Sequence, residues 1–147
     1  MNKQVKRLVA GVVLTMSLGL LAGCGTTDKV GTVHYAKLAT ESAKSKEIQA
    51  KMEVKFAEVN NRLVEAQSKQ TPEEFEKTKQ EAEQEFTVFK QAMANEFRSN
   101  VEVTVQGIAR EKGLTIVQDK AVVISGATDI TDDVLAKMNE QSGDVKK

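Results

Sequence analysis

Ser68-Lys69-Gln70-Thr71-Pro72-Glu73-Glu74 separates two long, charged runs of sequence that contain almost no glycine. Thr71 is placed to cap a helix N-terminus. Pro72 suits the first helical position, where its missing N–H leaves no bond unmade, and Glu74 can reach back to complete a capping box. The run from about Thr40 to Ser68 therefore reads as one helix. The run from Pro72 to about Lys112 reads as a second, with Gly113 as its stop. Helices joined by so tight a turn must fold back as a hairpin. At 1.5 Å per residue they extend roughly 40 and 60 Å.

The apolar spacing describes how the two helices meet. Phe75, Phe86, Phe97 and Ile108 are eleven residues apart, and Ala82, Met93 and Thr104 repeat with the same step. In the first helix Ile48 and Val59, and Met52 and Leu63, do likewise. Eleven residues over three turns is about 3.67 per turn, a seam that stays nearly straight or winds gently to the right. The stripe is narrow and the opposite face densely charged, which predicts an arm projecting from a body. Gly107 is a candidate bend where the two meet.

Outside this arm (residues 41–112) the period changes. Val30 to Tyr35 reads as a short strand, and Leu114-Thr115-Ile116-Val117 and Ala121-Val122-Val123-Ile124 as two more around Gln118-Asp119-Lys120. Thr131 caps a last helix, with Asp132 and Asp133 at its positive end and Val134, Leu135 and Met138 as its apolar face. Residues 141–147 read as a tail. The fold class is α+β, with a body from 30–40 and 113–140. Three short strands and one short helix leave sheet edges unpaired and bury little apolar area. Self-association, with strands of several copies closing into a small barrel, answers both problems.

The N-terminus carries an address. Lys3, Lys6 and Arg7 precede an uncharged run from Leu8 to Ala22, too short for a membrane-spanning helix, which needs roughly 20 residues. It ends in Leu21-Ala22-Gly23-Cys24, the pattern of a bacterial lipobox. Residues 1–23 are therefore expected to be a lipoprotein signal peptide, Cys24 the lipidated residue and 24–29 a polar tether. Two or three acyl chains, at about 0.8 kcal/mol per buried methylene, anchor stably.

Cys24 is the only cysteine, so no disulfide forms within the chain and no cysteine metal site exists. Without the leader's three cations the mature chain has 18 basic against 21 acidic residues, which argues against nucleic acid as a partner. With no Trp, one Tyr and five Phe, it is poor in the residues that fill a monomeric core.

The order strand, long helical hairpin, two strands, short helix resembles the Skp/OmpH family of periplasmic chaperones. The resemblance rests on Arg110-Glu111-Lys112-Gly113-Leu114-Thr115-Ile116-Val117-Gln118-Asp119-Lys120 and on Asp129-Ile130-Thr131-Asp132-Asp133-Val134-Leu135. A second patch, Glu41-Ser42-Ala43-Lys44-Ser45-Lys46 with Gln49-Ala50-Lys51-Met52-Glu53, is similar to the family's start of the first arm helix. It covers about residues 30 to 140. It implies a homotrimer with a central barrel, arms hanging as tentacles around unfolded outer-membrane proteins, no catalytic residue and no cofactor. A basic lipid A-binding patch is not carried over, because the second helix opens with Glu73, Glu74, Glu76, Glu81, Glu83 and Glu85.

The remaining residues offer little chemistry. His34, the only histidine, lacks a second histidine or nearby cysteine and reads as a strand-end side chain. Glu81 and Glu85 lie on a solvated helix face. No G-x-x-x-x-G-K-[ST] loop exists, so no ATP cycle is expected. Met52, Phe86, Phe89 and Met93 are the candidate client contacts, since flexible thioethers and aromatic rings adapt to varied partners; the alternative is that they pack the hairpin. Two functions compete: an ATP-independent holdase, or a lipid-anchored envelope spacer binding peptidoglycan or another envelope protein. Gly25 is not the aspartate associated with inner-membrane retention, which favours the outer membrane, facing the periplasm. Mature protein from cells fed labelled palmitate should carry the label, and Cys24→Ser should abolish it.

Overall fold

The structure, a computed structural model, describes residues 29–144; the signal peptide, Cys24 and the tether up to residue 28, and residues 145–147 lie outside it. The elements are β1 (Val30–Val33), α1 (Tyr35–Glu41), α2 (Ala43–Lys69), α3 (Pro72–Lys112), β2 (Ile116–Asp119), a 3-10 turn (Lys120–Val122), β3 (Thr128–Asp129) and α4 (Thr131–Asp144).

The hairpin forms as the turn sequence requires. Glu74 Oε2 accepts the Thr71 N–H at 2.9 Å while Thr71 Oγ1 accepts the Glu74 N–H at 3.4 Å, closing the capping box. At the far end Gly113 adopts φ +63°, and Leu114 donates its N–H to Ala109 O at 2.9 Å. A left-handed residue there ends the helix without the strain a Cβ would bring. The helix α3 runs unbroken through Gly107, so the expected bend is not a break in the helix.

The first helix differs from expectation. It is two helices, divided at Ser42, whose backbone is extended (φ −68°, ψ 148°). Ser42 is fully buried; its hydroxyl accepts the Ser45 N–H at 3.1 Å, and Asn139 Oδ1 accepts the Ala43 N–H at 2.7 Å. Side chains thus satisfy N–H groups that a continuous helix would bond to itself. The short α1 lays Leu38, fully buried, onto the body core. Tyr35 belongs to α1 rather than to the strand, because the His34 ring caps that helix by accepting the Lys37 N–H at 3.4 Å.

The sheet order is β2-β1-β3, all parallel. Val30 pairs with Ile116 and Val33 with Asp119 on one side; Gly31 and Thr32 pair with Thr128 and Asp129 on the other. The expected strand Ala121–Ile124 is not formed. After β2 the chain must return to start another parallel strand, and both sides of β1 are already taken, so Val122 and Ile124 are left 72% and 101% exposed. The third strand is Thr128–Asp129 instead. The sheet is open, so no barrel exists within one chain.

Thr131 does not cap the last helix as expected. Its hydroxyl donates to Asp129 Oδ1 at 2.5 Å and accepts the His34 N–H at 2.9 Å. Lys120 Nζ, 2.6 Å from Asp129, together with the Thr131 hydroxyl and N–H, holds that carboxyl far below the usual carboxylate range. This knot ties the ends of β1 and β3 to the start of α4. The body core is Val33, Leu38, Phe97, Val101, Ile108, Ile130, Val134 and Met138, so α3 supplies the floor and α4 the lid. The helix α4 continues to Asp144, past the expected start of the tail.

Gly31 is pinned in this arrangement: a Cβ there would lie 2.6 Å from Leu114 Cδ1 and 3.3 Å from Val117 Cγ2. Leu38→Ala should cost about 2–5 kcal/mol, seen as a lower urea midpoint at unchanged slope and equal protein concentration. Gly31→Ala should lower the midpoint too; a wild-type midpoint would show that β1 is not wedged against Leu114.

Candidate functional site: the helical arm and its flanks

The eleven-residue repeat is the packing seam. Ala82, Phe97, Thr104 and Ile108 of α3 are buried, as are Val59 and Ala66 of α2, while Phe75, Phe86, Met93, Ile48, Met52 and Leu63 are partly buried. Small residues at Ala66 and Ala82 allow close approach toward the tip.

One flank of the seam is closed by an ionic ladder with the same period. Glu96 takes Lys44 at 2.5 Å and Lys51 at 3.2 Å; Glu85 takes Lys55 at 2.5 Å and Arg62 at 2.7 Å. Lys44 to Lys55, Lys51 to Arg62 and Glu85 to Glu96 are each eleven positions. Glu85 and Glu96 of α3 are therefore each held by two cations seven residues apart on α2, and the unit repeats once along the arm. Glu47 and Glu58 extend it through Lys51 and Lys55.

The other flank is aromatic. Successive residues on a helix point about 100° apart, so if Lys55 and Glu85 meet on one side of the seam, Phe56 and Phe86 meet on the other. Their ring centroids are 6.1 Å apart, and Lys90 Nζ lies 5.6 Å from the Phe86 centroid. Phe56 is 60% exposed. Val54, Val64 and Val88 are also largely exposed along the arm. Back on the ladder flank, Phe89 and Val54 lie beside Lys51, Lys55 and Glu58, with Asn139 and Ser142 of α4, around an open groove of about 1090 Å³.

The four expected contact residues thus share the arm. Met52, Phe86, Phe89 and Met93 are all partly buried at the seam, Phe86 within the aromatic pair and Phe89 in the groove. Phe56 was not legible as a contact because it stands off the eleven-residue register; its signal was its place directly after Lys55, a rung of the ladder on the opposite flank. His34 is a helix cap, and Glu85, expected on a solvated face, is a rung of the ladder against Lys55 and Arg62. Among the described residues no group of His, Cys, Asp and Glu could hold a metal ion, and no helix is long and apolar enough to cross a membrane.

Residues 62–138, just over half of the chain, match the family described as outer membrane protein (OmpH-like). The chain belongs to the OmpH-like family. The match runs from Arg62 in α2 to Met138 in α4, taking in the tip, all of α3 and the sheet, while Met52 and Phe56 lie before it. A solved structure of a candidate OmpH-like outer membrane chaperone from Caulobacter crescentus has the same fold. It aligns with a TM-score of 0.51 at 13% identity, covering 76% of this chain and 84% of that one. No curated protein matches.

The ladder gives the OmpH-like arm a pH response. Glu85 is lowered by its bonds to Lys55 and Arg62; Glu96 is lowered by Lys44 and, against the opposing effect of burial, by Lys51. Depressed carboxyls stabilise fully above the unfolded value of about 4.3 and lose that contribution as pH falls through the folded values. Melting temperature should therefore be flat from neutral pH to about 5 and fall below about 4. The double variant Glu85→Gln, Glu96→Gln should melt a few degrees lower at neutral pH and show a shallower acid slope; an unchanged slope would mean that the ladder adds nothing to stability.

Proposed function

We propose that this OmpH-like protein is an ATP-independent holdase chaperone, lipid-anchored through Cys24 to the outer membrane and facing the periplasm. Its arms surround unfolded outer-membrane proteins within a homotrimer. The observation that carries the proposal is the aromatic flank. A hairpin closed by ion pairs on one side leaves Phe56 60% exposed and Phe86 only half-buried on the other, without an enclosed pocket around the two rings. Such a surface suits many weak contacts with an extended apolar chain and no single ligand. Met52, Phe86, Phe89 and Met93 are the proposed contacts, with Phe56 added by the geometry.

The trimer is supported by the open sheet. Both β2 and β3 are edges, and Ile116, Val122 and Ile124 stand exposed beside them. Joining sheets from three copies in a ring removes the free edges and covers those β-branched side chains. Without nucleotide, the holding energy is the sum of small contacts amplified by enclosure, and the client leaves when insertion and folding in the membrane become more favourable.

The test is dilution of a urea-denatured outer-membrane β-barrel protein into a several-fold excess of the mature protein. Light scattering by the aggregating barrel should be suppressed, and the mature protein in detergent should have the mass of three chains. Phe56→Ser, at a largely exposed position, should leave the melting temperature nearly unchanged and weaken protection several-fold. Undiminished aggregation, with sedimentation on peptidoglycan instead, would establish the spacer reading.

A further inference from the structure

The start of the described chain and the tip of the arm lie at opposite poles. Thr115, three residues beyond α3, donates its N–H to Lys29 O at 2.8 Å, and β1 then pairs from Val30 with Ile116. Lys29 is thereby fastened to the body end of α3. Thr71 and the tip are at the other end of that helix, whose 41 residues span about 60 Å. Cys24 stands five residues before Lys29, a length of chain that reaches at most about 18 Å when fully extended. A lipid on Cys24 can hold only the body close to a bilayer.

We infer that the protein stands on its membrane by the body, with the arms pointing away from the lipid surface. The partner of the body pole is a phospholipid bilayer, and the space between the arms opens toward the aqueous side. This inference rests on the lipid anchor and trimer proposed above and adds a direction to them. An arm lying flat along the membrane is opposed by its charge. Residues 65–85, around the tip, carry seven glutamates against three lysines, and Glu73 and Glu74 occupy the first turn of α3. Anionic lipid headgroups repel such a segment and attract a basic one. At the other pole, where Asp133 takes Lys112 at 3.0 Å and Glu111 is balanced by Arg110, no such excess of acid gathers at the end of α3, and Lys29 is exposed. Symmetry acts in the same direction: in a ring of identical copies the three Cys24 positions share one height along the axis. Three tethers of equal length hold that axis upright, where a single tether would leave it free to tilt. Clients then enter from the compartment into which the arms project, and the anchoring membrane meets the closed end of the assembly.

The experiment uses the full lipidated protein, in which a second cysteine is the only thiol left for labelling because Cys24 is acylated. Donor dyes are placed at Glu111→Cys, on the body pole, and at Ser68→Cys, on the tip. Each protein is reconstituted into phosphatidylethanolamine/phosphatidylglycerol vesicles carrying an acceptor on the lipid headgroups. Energy transfer from position 111 should exceed that from position 68 several-fold, and should persist in high salt. Equal transfer, or stronger transfer from position 68, overturns the orientation while leaving the anchor intact. Intact mass of the same sample reports the anchor separately: a Cys24 without acyl groups overturns both. A client-protection assay on the reconstituted vesicles reads the holdase proposal independently of either result.

Discussion

Four residues, Val30–Val33, hold the molecule together. As the central strand, β1 bonds to Ile116–Asp119 on one side and to Thr128–Asp129 on the other, joining the start of the domain to segments some 85 to 100 positions away. The hairpin, by contrast, is built from local rules: helices, a tight turn, a cap. Without β1 the long helix α3 would carry an apolar floor with nothing laid upon it. The wedge of Gly31 against Leu114 and the polar knot of His34, Thr131, Asp129 and Lys120 serve the same end. They fix where the strand sits and how it hands the chain on to α1 and α4.

The arm obeys a different economy of forces. Its seam is narrow, and much of its side-to-side order comes from ion pairs between partly exposed groups. Single exposed pairs contribute little, but Glu85 and Glu96 each hold two cations, and Lys44 and Lys55 are largely shielded, at 16% side-chain exposure. Burial alone would pull the Lys44 ammonium down; its bonds to Glu96 and Glu47 outweigh that and raise it. One edge of the hairpin is thereby zipped and the other left open, which gives a thin structure two chemically distinct sides.

Much of this could be read in the residues. The capping box at Thr71–Glu74, the end at Gly113 and the eleven-residue stripe are local rules written over a few positions, and they set the hairpin to within a residue or so. Three of the misreadings share one cause: each concerned a partner distant in sequence. Ser42 breaks the first helix because Asn139, nearly a hundred residues later, takes the Ala43 N–H. Ala121-Val122-Val123-Ile124 has the composition of a strand, yet β1 has no side left to offer it. Thr131 has the form of a cap and is claimed by Asp129 and His34. Within the arm, the period located the seam but could not say which neighbours of the seam would be covered. Phe56 and the ladder emerged only once the two helices were set in register.

The coincidence of the apolar and ionic periods makes the arm a ruler graduated in elevens. Adding one repeat to each helix lengthens it by about 16 Å and returns every rung, every seam residue and the turn to equivalent positions. Adding a number far from whole turns, such as two or five, would rotate the aromatic edge out of line. Span in this architecture is thus stepped: a lineage or a designer can change the length of the arm by whole repeats, with the body untouched.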